Sequence, residues 1–349
     1  MQSVQNRAQE TKILSEPAQD FLDRIGWDSV TCEPISCDAS ARKYFRLRRK
    51  KETAILMDAS AAGELVEPFI LLGKHLLQLG FSAPTLLHRD GHFLLLEDFG
   101  DNTFAALLEN PGSENLYGLA VDALIALHKH SGAIPNGLRP YSPEKMLQDI
   151  ELFLDWCTPS ISESGKAEFR RIWREVLPVA HRVPSSLLLR DYHSANLMFL
   201  AGREGVRQVG LLDFQDAYQG PVTYDLVSLL EDARRDVPER LQAAMKARYL
   251  AAFPDINLNA FLTSVAIVAA QRHTRVLAIF ERLSRDQGRH IYKDAHSPRV
   301  NSLLHRALNQ PALSEMKAWM ERYADPRPSS HAGRHYLEAP PKDRVRPLL

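Results

Sequence analysis

Cysteine is scarce, and that scarcity excludes two kinds of site. The chain of 349 residues has three, Cys32, Cys37 and Cys157. Their spacing gives neither a zinc or dithiol motif nor a disulfide framework. An odd, low count suits a reducing compartment, so a cytoplasmic location is expected. Net charge is lacking as well. Lys+Arg and Asp+Glu both total 43, for a formal charge of +0. Bulk attraction to nucleic acid or to a membrane surface is therefore not expected. Long hydrophobic runs are missing too. The longest, Phe261 to Ala270, runs into Gln271, Arg272 and His273 and predicts a buried helix rather than a span. The opening stretch MQSVQNRAQETK has no apolar core, so no secretory signal is expected there.

What is present suits a soluble globular protein of one large domain or two lobes. Hydrophobic residues make up 45% and charged residues 25%, enough for a sizeable core. Ser15-Glu16-Pro17 predicts a capped helix start. Cys32 to Ile35, the alternation of Tyr44, Arg46 and Arg48 with Phe45 and Leu47, and Thr53 to Met57 predict strands. A charged hairpin turn at Arg49 to Glu52 joins the last two. A stripe of Leu65, Phe69, Leu72, Leu76 and Leu79, closed by Gly80, predicts a helix. Strands near Thr85 to His88 and His92 to Leu96 follow, with a turn expected at Arg89-Asp90-Gly91.

Glu97 to Asp101 breaks this pattern, and the chain beyond reads mostly helical. Leu116, Leu119, Ala123, Leu124 and Leu127 make one stripe. Leu147, Ile150 and Leu154 make another, and Phe169, Ile172, Trp173, Val176 and Ala180 a third. Gly220-Pro221 predicts a further helix start. Residues 325–349 hold five prolines and many charges and read as a loosely ordered tail. The expected organisation is an N-lobe over 1–97, a hinge over 98–103, a C-lobe over 104–324 and the tail over 325–349.

The chemistry concentrates in Leu187 to Asp225, with LLLRDYHSANLMFL followed by VGLLDFQDAYQGPVTYD. Apolar runs deliver Asp191 to a polar loop, Asn196 to its far end and Asp213 to the end of a later strand. A carboxylate at Asp191 can orient a hydroxyl and take its proton. The amide oxygen of Asn196 and the carboxylate of Asp213 are hard ligands that suit Mg²⁺, which keeps phosphate and water in its remaining positions. An oriented nucleophile and a phosphate-bridging metal are what phosphoryl transfer from ATP requires. Any one of these residues alone would be an ordinary turn former. The ordered set between apolar strands is not explained that way.

Arg190-Asp191-Tyr-His-Ser-Ala-Asn196, then Asp213-Phe214-Gln215, resembles the protein-kinase pattern of catalytic and metal loops. His193 and the short gap from Asn196 to Asp213 resemble the aminoglycoside-phosphotransferase-like small-molecule kinases more closely. DFQDAYQGPVTYDLVSLLED, DASARKYFRL, AILMDA and AIVAAQRHTRVLAIFERL are similar to the bacterial cell-wall-recycling kinases that phosphorylate the anomeric hydroxyl of N-acetylmuramate and N-acetylglucosamine. The resemblance implies an α+β, two-lobed protein-kinase-like fold: an N-lobe antiparallel sheet with a helix, and a mostly helical C-lobe. It implies Asp191 as catalytic base, Asn196 and Asp213 as magnesium ligands, and Asp225 as a structural acid. ATP and a small amino sugar are the implied partners, with no nucleic acid and no membrane.

The chain departs from that pattern in its N-lobe. No glycine-rich loop is present, and Met57 stands where a phosphate-holding lysine is expected. Ser40, Arg42 and Lys43 are the candidate phosphate contacts, and Glu97 and Phe99 bracket the expected adenine hinge. Otherwise Arg42, Lys43, Arg46, Arg48 and Arg49 read as a solvated strand face. Glu64 and Glu67 are candidate anchors for a cation or surface acids. Arg190, His193, Gln215 and Asp216 are the candidate sugar contacts, with Arg272 and Arg275 if their helix lines the cleft. Two other functions stay open at this point. One is a kinase for an aminoglycoside, choline or other alcohol; the other is a nucleotide-binding pseudokinase module, for which the missing lysine and glycines speak.

Overall fold

The computed structural model describes residues 14–35, 42–62 and 66–324. Ser40, Glu64 and the tail from 325 lie outside the described residues. Two compact units divide the chain, and they do not follow it linearly. Among the described residues, those up to Ser113 together with Ala195–Gln215 form the first; Glu114–Ser194 and Asp216 onward form the second.

The first unit begins with α1 (Glu16–Arg24), where the Ser15 side chain accepts a bond from the Ala18 amide. Such a cap is worth about 1 kcal/mol. β1 (Thr31–Ile35), β2 (Lys43–Arg49), β3 (Glu52–Asp58), α2 (Glu67–Gln78), β4 (Leu86–Asp90), β5 (Phe93–Glu97) and α3 (Phe104–Leu107) follow. The strands form one sheet in the order β1-β2-β3-β5-β4, every pair antiparallel. Strand alternation sorts the side chains. Phe45, Leu47, Ala54 and Leu56 pack with Phe21, Leu22 and Trp27 in one apolar cluster. Tyr44, Arg46, Ile55 and Met57 therefore occupy the opposite face.

Two hairpins close on two residues each. Arg49 pairs with Glu52, leaving Lys50-Lys51 as the turn, with Lys50 at φ 53°. Asp90 pairs with Phe93, so the second turn is Gly91-His92, not the expected Arg89-Asp90-Gly91. The reason is backbone conformation: a tight hairpin needs positive φ at its first turn position, and Gly91 supplies it at 53°. Arg89 and Asp90 then belong to β4.

The second unit opens with α4 (Asn115–Lys129), α5 (Pro143–Trp156), α6 (Glu163–Ala180) and β6 (Ser185–Leu188). The buried stripe of α4 runs through Leu116, Ala120, Ala123, Leu124 and Leu127, while Leu119 is only half-buried. The chain then contributes the β7 (Leu197–Phe199) and β8 (Val209–Leu211) hairpin to the first unit. It returns with β9 (Tyr218–Pro221), α7 (Thr223–Leu230), α8 (Glu239–Ala251), α9 (Leu258–Gln287), α10 (His290–Ala307) and α11 (Ser314–Tyr323).

Gly220 and Pro221 do not start a helix. They end β9, paired with Ser186 and Ser185 of β6. A Cβ on Gly220 would come within 2.7 Å of the Leu188 side chain, so this glycine serves a close strand contact. The helix begins after it, at Thr223. α9 has 30 residues, about 45 Å of helix, and packs against α5, α6, α7 and α10. Among the described residues no helix is long and apolar enough to cross a membrane.

Candidate active site

In the first unit, the β7–β8 hairpin brings Asn196 and Asp213 together. Leu197 pairs with Leu211, and the Leu212 amide donates to the Asn196 carbonyl at 3.0 Å. The register leaves Asn196 and Asp213 at the same end, with Asn196 Nδ2 3.4 Å from Asp213 Oδ2. Gln215 Nε2 donates to Asp213 Oδ1 at 2.6 Å. Asp213 sits at φ 55°, a conformation most side chains avoid. The next residue fixes it there: Phe214 is fully buried and stacks on Phe69 of α2 with ring centroids 5.0 Å apart. The Asn196 side-chain amide thus lies beside the Asp213 carboxylate, and an amide oxygen with a carboxylate is a donor set that fits Mg²⁺.

A cavity in the same unit is lined by Tyr44, Ile55, Phe69, Pro84, Leu96 and Leu212, with Glu97, Asp213 and Gln215 at its polar part. Apolar walls with few polar groups suit a flat heterocyclic base. Glu97 is therefore at the cavity; its carboxylate accepts from Thr85 Oγ1 at 2.8 Å and pairs with Arg203. Phe99 does not line the cavity; it packs with Met198, Leu200 and Leu212, the last of which does. Lys43 is exposed at the start of β2, and Arg42 is half-buried just before it. Met57 is buried, as a lysine with its ammonium in water would not be.

Arg46 corrects the expectation of a solvated strand face. Its guanidinium is buried and bound by Asp98 (2.9 and 3.0 Å), Asp101 (2.6 Å) and the Gly100 carbonyl (2.8 Å). Asp98 also accepts the Gly100 amide at 2.9 Å. This clamp holds Glu97 to Asp101 against β2. Sequence reasoning missed it; the signal was a cation on the face of β2 away from the apolar cluster. Arg48 and Arg49 are more open and pair with Glu33 and Glu52. Glu67 pairs with Arg89.

In the second unit, β6 ends in Leu189-Arg190-Asp191. Arg190 sits at φ 66°, and Asp225 of α7 pins that turn. Its carboxylate, fully buried, accepts the Leu189 amide at 2.6 Å and the Arg190 amide at 2.9 Å. Burial pushes the Asp225 carboxyl up to about 7, against the pull of those two amide bonds. The Arg190 side chain is also engaged: it donates to Asp149 at 2.8 Å and lies over the Tyr141 and Tyr218 rings, 4.9 and 5.1 Å from their centroids. It is placed to support the loop.

Asp191 itself opens to solvent, its side chain 32% exposed, with an Arg272 nitrogen 3.8 Å away. Burial would raise its carboxyl, but Arg272 and Arg275, with Arg190, outweigh that and hold it below the usual carboxylate range. His193 is buried beside Arg234 (3.5 Å). Burial and the Arg234 charge push its imidazole down to about 4, so it is neutral at pH 7 and can both donate and accept. Asp232 fixes the end of the loop, accepting from Ser194 Oγ at 2.8 Å and the Arg234 amide at 2.9 Å. Asp216 is exposed.

The sequence matches the phosphotransferase enzyme family over residues 31–258. It is 33% identical over 346 residues to the N-acetylmuramate/N-acetylglucosamine kinase of Caulobacter vibrioides, covering 87% of this chain and 94% of that one. It is 33% identical over 309 residues to the protein of the same name from Pseudomonas aeruginosa, covering 83% and 89%. Among solved structures, a choline/ethanolamine kinase family protein from Mesorhizobium loti superposes with a TM-score of 0.57 at 16% identity, covering 88% of this chain and 98% of that one.

Proposed function

Because the chain belongs to the phosphotransferase enzyme family, we propose that it transfers the γ-phosphoryl group of ATP to the anomeric hydroxyl of N-acetylmuramate and N-acetylglucosamine, in the cytoplasm, as a step in recycling cell-wall sugar. The carrying observation is Asp191: a solvent-open carboxylate kept ionised by arginines at the end of a loop that Asp225 pins. The names of relatives similar along most of the chain supply the substrate class.

Asp191 accepts the proton of the C1 hydroxyl as the O1–Pγ bond forms and the bond from Pγ to the ADP oxygen breaks. Asn196 and Asp213 would hold Mg²⁺, which when bound neutralises charge on the phosphates. The apolar cavity of the first unit takes the adenine, and Glu97 to Phe99 lies at its edge. Arg42 and Lys43, with Ser40, take the place of the missing lysine. In the second unit His193 and Asp216 are the sugar-hydroxyl contacts, and Arg190 acts on the sugar through the loop it braces; Gln215, in the first unit, holds the Asp213 carboxylate. A cationic acceptor such as choline or an aminoglycoside would meet Arg190 and Arg272 around Asp191, which disfavours that reading.

The test is an acceptor panel with ATP and Mg²⁺. Consumption of either amino sugar in step with ADP release is the expected result. Turnover of another alcohol with neither sugar consumed would overturn the substrate. ATP binding without turnover on any acceptor would favour a nucleotide-binding module.

A further inference from the structure

On α9, Arg272 and Arg275 stand three residues apart and share a face. Below them lies a cluster from four other elements of the second unit. Among the described residues it gathers four cations, Lys145, Arg190, Arg272 and Arg275, and three carboxylates, Asp149, Asp191 and Asp225. The pairing is uneven. Asp149 is taken by Lys145 at 2.7 Å, Arg190 at 2.8 Å and the Tyr141 hydroxyl at 2.8 Å. Arg272 donates to the Arg190 carbonyl at 3.1 Å and leans over the Tyr224 ring, 5.7 Å from its centroid.

Arg275 has less. Its nearest acid oxygen, on Asp149, is 3.9 Å away, beyond hydrogen-bond reach. Its side chain is 22% exposed, so a solute can approach it. Beside it the Tyr224 hydroxyl is fully buried, with no hydrogen-bond partner among the described residues. Burial should push that phenol up, yet Arg272, Arg275 and Arg190 together pull it below its ordinary value. The cations of this cluster outnumber its carboxylates. A half-buried cation and an orphaned buried hydroxyl are both costly unless a ligand completes them. An arginine fork with a hydroxyl donor suits a carboxylate.

Resting on the amino-sugar kinase function proposed above, we propose that Arg275 and the Tyr224 hydroxyl form a subsite for a carboxylate on the acceptor, and so set the preference for N-acetylmuramate, whose lactyl group carries one, over N-acetylglucosamine, which has none. Arg272, the arginine next to Asp191, is the positioning residue for that carboxylate base. Arg275 lies a helical turn further on, nearer Asp149 than Asp191, and addresses a part of the sugar away from the reacting hydroxyl.

The experiment measures kcat/KM for both sugars in the wild type, Arg275→Gln, Arg275→Lys and Tyr224→Phe. Arg275→Gln should lower the ratio of N-acetylmuramate to N-acetylglucosamine about tenfold or more, mainly through KM, as expected for losing a bond to a charged group. Arg275→Lys should recover part of it, and Tyr224→Phe should lower it about fivefold. An unchanged ratio overturns the subsite. So does an equal fall in kcat for both sugars, which would instead place the arginine on the transferred phosphoryl group. The methyl ester of N-acetylmuramate tests the same claim on the unmodified protein: KM should rise about tenfold, and an unchanged KM overturns it. A wild type that phosphorylates neither sugar would instead refute the kinase assignment, a failure visible before any variant is made.

Discussion

Asp191 and His193 are two residues apart, and their surroundings set opposite charge states. Arginines keep Asp191 ionised. Burial and Arg234 keep His193 neutral. Asp191→Asn removes the proton acceptor while keeping size and shape, so kcat should fall at least about 100-fold with the thermal unfolding midpoint little changed; steady-state assay and calorimetry check the two parts. For His193 the sign follows from proton uptake. The unfolded imidazole takes its proton near pH 6.5, but the folded one resists down to about 4. The unfolded state therefore binds more protons between those values. The stability contribution is full above pH 6.5 and is lost as pH falls toward 4. His193→Asn should flatten that part of the stability curve relative to wild type, measured by urea unfolding across the range.

At the scale of elements, two devices position the site, and each has its own test. Asp225 on α7 ties the end of β6 through two amides. Asp225→Ala leaves both without a partner in a buried setting, so stability should drop by about 2–5 kcal/mol, read by denaturant midpoint, and turnover should fall with it. The β7–β8 hairpin depends on Gly210, where a Cβ would come within 2.9 Å of the Phe99 ring and 3.0 Å of the Met198 Cβ. Gly210→Ala should cost about 1–3 kcal/mol through overpacking and should weaken nucleotide binding, because Phe99 follows the Glu97 that edges the cavity. Calorimetry with and without ATP separates the two effects.

Much of this architecture was legible in the sequence because it is local. The period-two alternation of Tyr44 to Arg48 gave β2, and the Phe169 to Ala180 stripe gave α6. Asp191, Asn196 and Asp213 stood out because strands flank them within one short stretch. What stayed hidden depends on distant pairing. Arg46 meets Asp98 across 52 residues, and Arg190 meets Asp149 across 41. Read along the chain, Arg46 looked like surface charge and Arg190 like a free hand for substrate. The turn at Gly91-His92 and the strand ending at Pro221 were misplaced for another reason: glycine and proline mark a break but do not say on which side of it the element lies.

For the whole molecule, the first unit carries the apolar cavity with Asn196 and Asp213, and the second carries Asp191 with its arginines. On the function proposed above, the nucleotide-side residues and the acceptor-side base belong to different units, and ligand effects should separate accordingly. Mg²⁺·ATP at about 100 times its Kd should stabilise the protein by about 2.7 kcal/mol, and Asp213→Asn should remove most of that gain while leaving the unliganded midpoint near wild type. The central claim is transfer to the anomeric oxygen, and proton-coupled ³¹P NMR of the product from N-acetylglucosamine, ATP and Mg²⁺ tests it most directly. A phosphate on O1 couples to the single anomeric proton and gives a doublet, which is the result expected. A multiplet from coupling to the two protons of a primary carbon would place the phosphate on O6 and contradict the account.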